Sequence, residues 1–187
     1  LYADNVDLSI YNNLIDCVNE NMNVMYKYYD LRKKALKLDE LHLYDMYADL
    51  IKGKSKDYSF DEAKKLVIDS LSVLGDDYIK NLNRAFDERW IDVYHNKGKR
   101  TGAYSSGFYD TNPFLLLNYE GKLNDVSTLA HELGHSMHTF YSCKNNPYCY
   151  SNYSIFVAEV ASTVNELLLS KYLISTSKDK EEKLSII

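Results

Sequence analysis

The sequence predicts a mainly helical domain with a small β-sheet between residues 91 and 119. Three observations carry that prediction. Long stretches repeat apolar residues at steps of three and four. A capping box and an amphipathic, histidine-bearing stretch mark individual helices. Glycines and an Asn-Pro pair break the segment from 91 to 119 into short pieces with strand character. At 187 residues and 45% hydrophobic content, the chain can bury a sizeable core.

Residues 8–37 read as one long helix, because Tyr11, Leu14, Ile15, Val18, Met22, Met25, Tyr26 and Tyr29 form a core-facing stripe at helical spacing. The segment from Leu41 to Ile51 is a connection. Its His42 has no acidic companion at metal-ligand spacing and reads as a surface or packing histidine. Ser59-Phe60-Asp61-Glu62 is a capping box, in which the serine and glutamate side chains satisfy amides at a helix start. Phe60, Ala63, Leu66, Val67 and Leu71 carry that helix towards a stop at Gly75. A further helix runs from Asp76 to Trp90, with Tyr78, Leu82, Phe86 and Trp90 on one side.

From Ile91 the pattern changes. Gly98, Gly102, Gly107 and Asn112-Pro113 interrupt it, and Gly102-Ala103-Tyr104 and Phe114 to Tyr119 have strand character. The sheet either holds an extended peptide at its edge by main-chain hydrogen bonds or simply covers the helices, and at this level both are open. Glu120-Gly121 turns into the histidine helix. A polar, tyrosine-rich loop from Lys144 to Tyr153 then leads to a helix from Ile155 to Ile174. Phe156, Val157, Val160, Ala161, Val164, Leu167 and Leu168 form its broad apolar face, with Glu159, Ser162, Thr163, Glu166 and Ser170 as the remaining stripe. Lys178 to Ile187 reads as a charged helix. The chain opens without Met and ends inside that helix, so both ends read as cuts.

Composition narrows the function. A net charge of -5 and no basic stripe beyond Lys97-Gly98-Lys99-Arg100, which reads as a solvated turn, argue against a nucleic-acid partner. No apolar run approaches the roughly 20 residues that span a bilayer, and no signal peptide is visible, so a soluble cytoplasmic protein without a membrane partner is expected. Cys17, Cys143 and Cys149 are odd in number and lack CxxC spacing, which suggests reduced thiols, with a Cys143–Cys149 pair across their loop as the lesser alternative. Nothing in the sequence sets the oligomeric state.

The chemistry sits in His131-Glu132-Leu133-Gly134-His135. Histidines four residues apart stand almost above one another on a helix and can reach one metal ion, while the intervening glutamate lies about 100° round and can act as a general base on activated water. Val126, Leu129, Leu133, Met137 and Phe140 share one side of this helix, and Thr128, His131, His135, His138 and Ser142 nearly the opposite side. His138 cannot be the third ligand: from His131 it is about 10 Å along the axis, against metal–nitrogen distances near 2 Å. The HExxHxxGxxH pattern fails as well, since His138 and Tyr141 stand where its glycine and third histidine should be. A third ligand from the following helix is left, with Glu159 the better placed and Glu166 the fallback. Two histidines and a glutamate suit zinc, without excluding cobalt or manganese.

HELGHSMH at 131–138 with FVAEVASTVNE at 156–166 resembles the thimet oligopeptidase family of zinc peptidases. RWIDVYHNKGKRTGAYSSG at 89–107, YDTNPFLLLNY at 109–119 and YNNLIDCVNENMNVMYKYYDLRKKAL near the start resemble its bacterial oligoendopeptidase F branch. The resemblance implies a helical zincin-type fold, with residues 1–187 as part of a single catalytic domain that cleaves short peptides. It also implies one zinc held by His131, His135 and Glu159, Glu132 as the base, and Gly102-Ala103-Tyr104 along the substrate backbone. In the family the ligand glutamate opens a Glu-x-x-Ser motif, which Glu159 to Ser162 matches and Glu166 does not. Ser162 and Glu166 are expected around the ligands, and His138, on the same helical face as the two histidines, is expected beside them or in packing. Family members are much longer, and a later region that contacts substrate has no counterpart here. The alternative to an endopeptidase is therefore a zinc-binding helical module without turnover.

Overall fold

A computed structural model describes residues 5–48, 50 and 56–186. These fall into two compact units, one from residues 1–54 and one from 55–187. The structure is mainly helical with one three-stranded sheet, as predicted.

In the first unit the expected single helix is two, α1 (Leu8–Glu20) and α2 (Met22–Leu36). Asn21 interrupts them with φ -102° and ψ 6°, and its side-chain amide donates to the Cys17 carbonyl at 2.7 Å. Asparagine does this because its short amide competes with the helix ladder for backbone partners. The predicted core-facing stripe is exposed: Leu14 keeps 64% and Tyr26 58% of its accessible surface. Periodicity reports that one face is apolar, and says nothing of what covers it. What α2 does bury is Arg32, whose guanidinium donates to the Asp45 carbonyl at 2.9 and 3.1 Å and to that of Ala48, tying the 3-10 turn Leu43–Tyr47 to the helix. His42 precedes that turn, exposed and stacked on Tyr44, as a surface histidine.

In the second unit, α3 (Phe60–Leu71) opens on the predicted capping box: Ser59 Oγ accepts from the Glu62 amide at 3.2 Å, and Glu62 Oε2 accepts from the Ser59 amide at 2.8 Å. Those Ser59 contacts hold the Glu62 carboxyl below its ordinary range. The carboxylate's share of the cap is therefore fully present above the unfolded-state pKa and fades as pH falls through the lowered folded one. Ser59→Ala should cost about 1 kcal/mol at neutral pH, read as a drop in thermal midpoint that narrows in acid; an unchanged midpoint would remove the cap from the stability account.

α4 (Asp76–Asp87) follows and ends three residues before the expected stop, because Arg89 takes φ 62° and the Trp90 amide turns back to the Ala85 carbonyl at 3.1 Å. The sheet runs β1 (Ile91–Asp92), β3 (Phe114–Leu116), β2 (Tyr104–Ser106), with β1 parallel and β2 antiparallel to β3. Both expected strands are present but shorter: Gly102 and Ala103 precede β2, and the second strand stops at Leu116. The turn over 97–100 has an inward member, since the Lys99 side chain is 3% exposed and its ammonium donates to the Asp92 and Tyr94 carbonyls at 3.1 and 2.8 Å.

α5 (Leu123–Asn145) packs Val126, Leu129, Leu133 and Met137 into a core shared with Val67 and Leu71 of α3, Leu82 of α4, Trp90 and Leu115 of β3. That is the face the pattern predicted. α6 (Ile155–Thr176) forms where expected but does not pack by its broad apolar face. Phe156, Val160 and Leu167 stay 58–63% exposed, while Ala158, Ser162, Asn165, Leu169 and Leu173 are buried. The reason is the close approach of α6 to α5. A Cβ on Gly134 would lie 2.7 Å from Ser162 Cα, so only small side chains fit at the crossing. Asn165 is satisfied there by donating to the Ala130 carbonyl at 3.0 Å and accepting from the Tyr78 hydroxyl at 3.2 Å. α7 (Lys180–Ile186) ends the described residues. The cysteines are unpaired. Among the described residues no helix is long and apolar enough to cross a membrane.

Candidate metal centre

α5 begins where Gly121, at φ 87°, turns the chain and Asp125 Oδ2 accepts from the Lys122 amide at 2.9 Å. Its first turns are anchored in the core, and its next two present His131 and His135 towards α6. There the two Nε2 atoms lie 3.1 Å apart, and each lies 3.5 Å from Glu159 Oε2. Donors placed about 2.0–2.2 Å from a tetrahedral ion stand about 3.3–3.6 Å from one another, so this triangle has the dimensions of a zinc ligand set. Among the described residues it is the one group of three such side chains whose donor atoms all fall within 4.8 Å.

Each corner is aimed by a neighbour. Glu166 Oε1 lies 3.2 Å from His131 Nδ1, so a proton on Nδ1 is held by the carboxylate and the Nε2 lone pair faces the triangle. His135 is hydrogen-bonded to the Ala158 backbone, and burial pushes its pKa below the ordinary value, favouring the neutral ring that ligates metals. Ser162, fully buried, donates to Glu159 Oε2 at 2.8 Å and to the Glu159 carbonyl at 3.1 Å. The two carboxylates weighed as third ligand thus separate: Glu159 joins the triangle and Glu166 backs a histidine.

Glu132 lies outside the triangle and is 7% exposed. Burial raises its pKa, with the His131 ring opposing and the Glu159 charge adding to the rise, while the Ser105 backbone hydrogen-bonds its carboxylate and lowers it. That contact places β2 against the face of α5 that carries Glu132. The same strand is pinned by Ser105 Oγ, 2.7 Å from Ser136 Oγ. Neither serine carried a signal in the sequence, because a strand and a helix 31 residues apart meet only in the fold.

Gly102, Ala103 and Tyr104 directly precede Ser105 in the chain, and none of the three is a member of the donor triangle. Gly102 has φ 87°, and Asn118 Nδ2 donates to the Gly102 and Arg100 carbonyls at 2.8 and 2.9 Å, fixing the entry to β2. His138 takes no part in the triangle. Its ring stacks on Tyr153 with centroids 3.7 Å apart, and its buried Nδ1 has no hydrogen-bond partner among the described residues. It borders a cavity of about 460 Å³ between α4, α5 and α6 that also touches Gly134, Val157 and Val160.

Comparison with known proteins puts this arrangement in context. The chain is 46% identical to oligopeptidase PepF of Bacillus subtilis along its whole length, covering 28% of that protein. It is 48% identical over 181 residues to an oligoendopeptidase F homolog of Borreliella burgdorferi, covering 96% of the chain and 31% of the relative. The chain thus spans about 30% of the length of these curated relatives. A candidate peptidase of Chlamydophila abortus, solved by crystallography, superposes with TM-score 0.87 at 46% identity over all of this chain and 31% of that one. PZ peptidase A with an inhibitor shares the fold, with TM-score 0.78 at 17% identity over 97% of this chain and 33% of its own. The model of peptidase family M3 matches residues 2–187, and with that match spanning all but the first residue, the chain belongs to this family.

Proposed function

We propose that residues 1–187 are part of one catalytic domain, that of a zinc-dependent endopeptidase acting on short oligopeptides. The observation that carries the proposal is the donor triangle of His131, His135 and Glu159, with sides of 3.1, 3.5 and 3.5 Å. One zinc per chain would be held there. When bound, zinc polarises a peptide carbonyl and acidifies water. Glu132, a carboxylate with its pKa raised by burial, accepts the proton of the attacking water and passes it to the leaving amine nitrogen. The edge of β2 offers main-chain groups to an extended peptide beside that carboxylate. The names of the relatives, oligopeptidase and oligoendopeptidase, support the substrate class. Unpaired cysteines accord with a cytoplasmic setting.

The test pairs metal analysis with turnover in the full chain. One equivalent of zinc is expected in the unchelated protein and, equally, in Glu132→Gln. Cleavage of a short fluorogenic peptide should fall by at least about 10²-fold in that variant. Zinc without any turnover in the parent would favour the non-catalytic module. Normal turnover in Glu132→Gln would remove the glutamate from the proton's path.

A further inference from the structure

The two faces of the small sheet differ. Ser105 and its partner Leu115 face α5, where Ser105 meets Ser136 and Leu115 is fully buried. Tyr104 and Ser106 point the other way, as do their partners Leu116 and Phe114, because directly paired residues share a face. On that outer face Tyr104, Phe108 and Phe114, respectively 50, 75 and 64% exposed, line an open cavity of about 550 Å³. The charged group in its lining, Asp92, has its carboxylate 3.2 Å from the Lys99 ammonium, so among the described residues the cavity offers aromatic and aliphatic walls with Ser106, Thr111 and Asn112 as its neutral polar members.

A concave cluster of exposed aromatics with polar residues beside it is a surface that another group covers. Their place in the sheet suggests which ligand. β2 is an edge strand, and β3 occupies its other side. A peptide added to the free edge would continue the pleat, and its side chains would alternate between faces. Those level with Ser105 would face α5 and its histidines. Those level with Tyr104 and Ser106 would fall beside the aromatic cavity.

We infer that this cavity is a specificity subsite for a bulky apolar side chain, aromatic above all, of a peptide lying along β2. The inference rests on the reading of β2 as the peptide-binding edge. Phe108 and Phe114 would be its walls, and preference for such side chains would recur at every second peptide position.

The experiment uses the full, zinc-loaded chain carrying Glu132→Gln, so that peptides bind without being cut. Fluorescein-labelled octapeptides of alanine and glycine, with a single phenylalanine moved along the sequence, are titrated by anisotropy. The all-alanine peptide should bind weakly, and phenylalanine should tighten binding about 10-fold or more at alternate positions, as burial of one aromatic side chain allows. In the background of Phe108→Ala and Phe114→Ala that gain should disappear while the all-alanine affinity holds. Both side chains are more than half exposed, so the variant keeps the core intact, checked by circular dichroism. A gain that persists in the variant, or that does not depend on position, overturns the subsite. Absence of binding by every peptide overturns it together with the peptide-edge reading, and that outcome is distinct because no affinity is then measured at all.

Discussion

Glu159→Ala should lose zinc by more than the roughly 10–100-fold that removal of an orienting partner costs, because it deletes one of the three proposed donors. The carboxylate is the group from α6 that reaches both imidazoles, at 3.5 Å each, and no other carboxylate completes the triangle among the described residues. Glu166→Gln provides the contrast. It removes the charge behind His131 Nδ1, not a donor, so stoichiometry should hold while affinity drops within that 10–100-fold range. Competition of each variant with a chromogenic chelator measures both. If Glu166→Gln lost zinc altogether and Glu159→Ala kept it, the two carboxylates would have to exchange roles.

Gly134→Ala should lose stability and zinc together, although it touches no donor. The added methyl would lie 2.7 Å from Ser162 Cα and 2.8 and 2.9 Å from the Ala161 carbonyl oxygen and carbon. These are backbone atoms of α6 and cannot rotate away, so the helices must part. Two effects oppose each other. Alanine gains up to about 1 kcal/mol over glycine in a helix interior. Overpacking a tight contact costs about 1–3 kcal/mol, and a clash with rigid backbone falls at the upper end. The net expectation is a thermal midpoint lower by several degrees, since about 1 kcal/mol shifts a domain of this size by 2–4 °C. Because His131 and His135 ride on α5 and Glu159 on α6, separation also opens the triangle, and zinc affinity should fall well beyond the loss of stability. A variant with an unchanged midpoint and full zinc would show that the crossing tolerates a methyl group and does not set the donor geometry.

Much of this was legible in the residues, and what was not has a common cause. The capping box at Ser59, the stop at Gly75, the broken segment after Ile91 and the anchored face of α5 are local patterns, written in propensity and spacing within one or two turns. The spacing of His131 and His135 is of the same kind, and so is the offset that turns Glu132 aside. Local chemistry also hid one break, at Asn21, where a side-chain amide ended a helix whose apolar rhythm ran straight on.

The sequence by itself thus determined that two imidazoles share one helical face, and it pointed to the carboxylates of the helix after it as the place to look for a third donor. Tertiary structure decided which carboxylate arrives, what Glu166 does instead, which side of α6 is buried, and that Ser105 brings a strand edge to Glu132. α6 carries a broad apolar stripe, yet the helix packs on Ala158, Ser162 and Asn165, because the absence of a side chain at Gly134 lets two backbones come close enough for small groups to outcompete large ones. Burial is a property of pairs of surfaces, and one helix's pattern describes only its own.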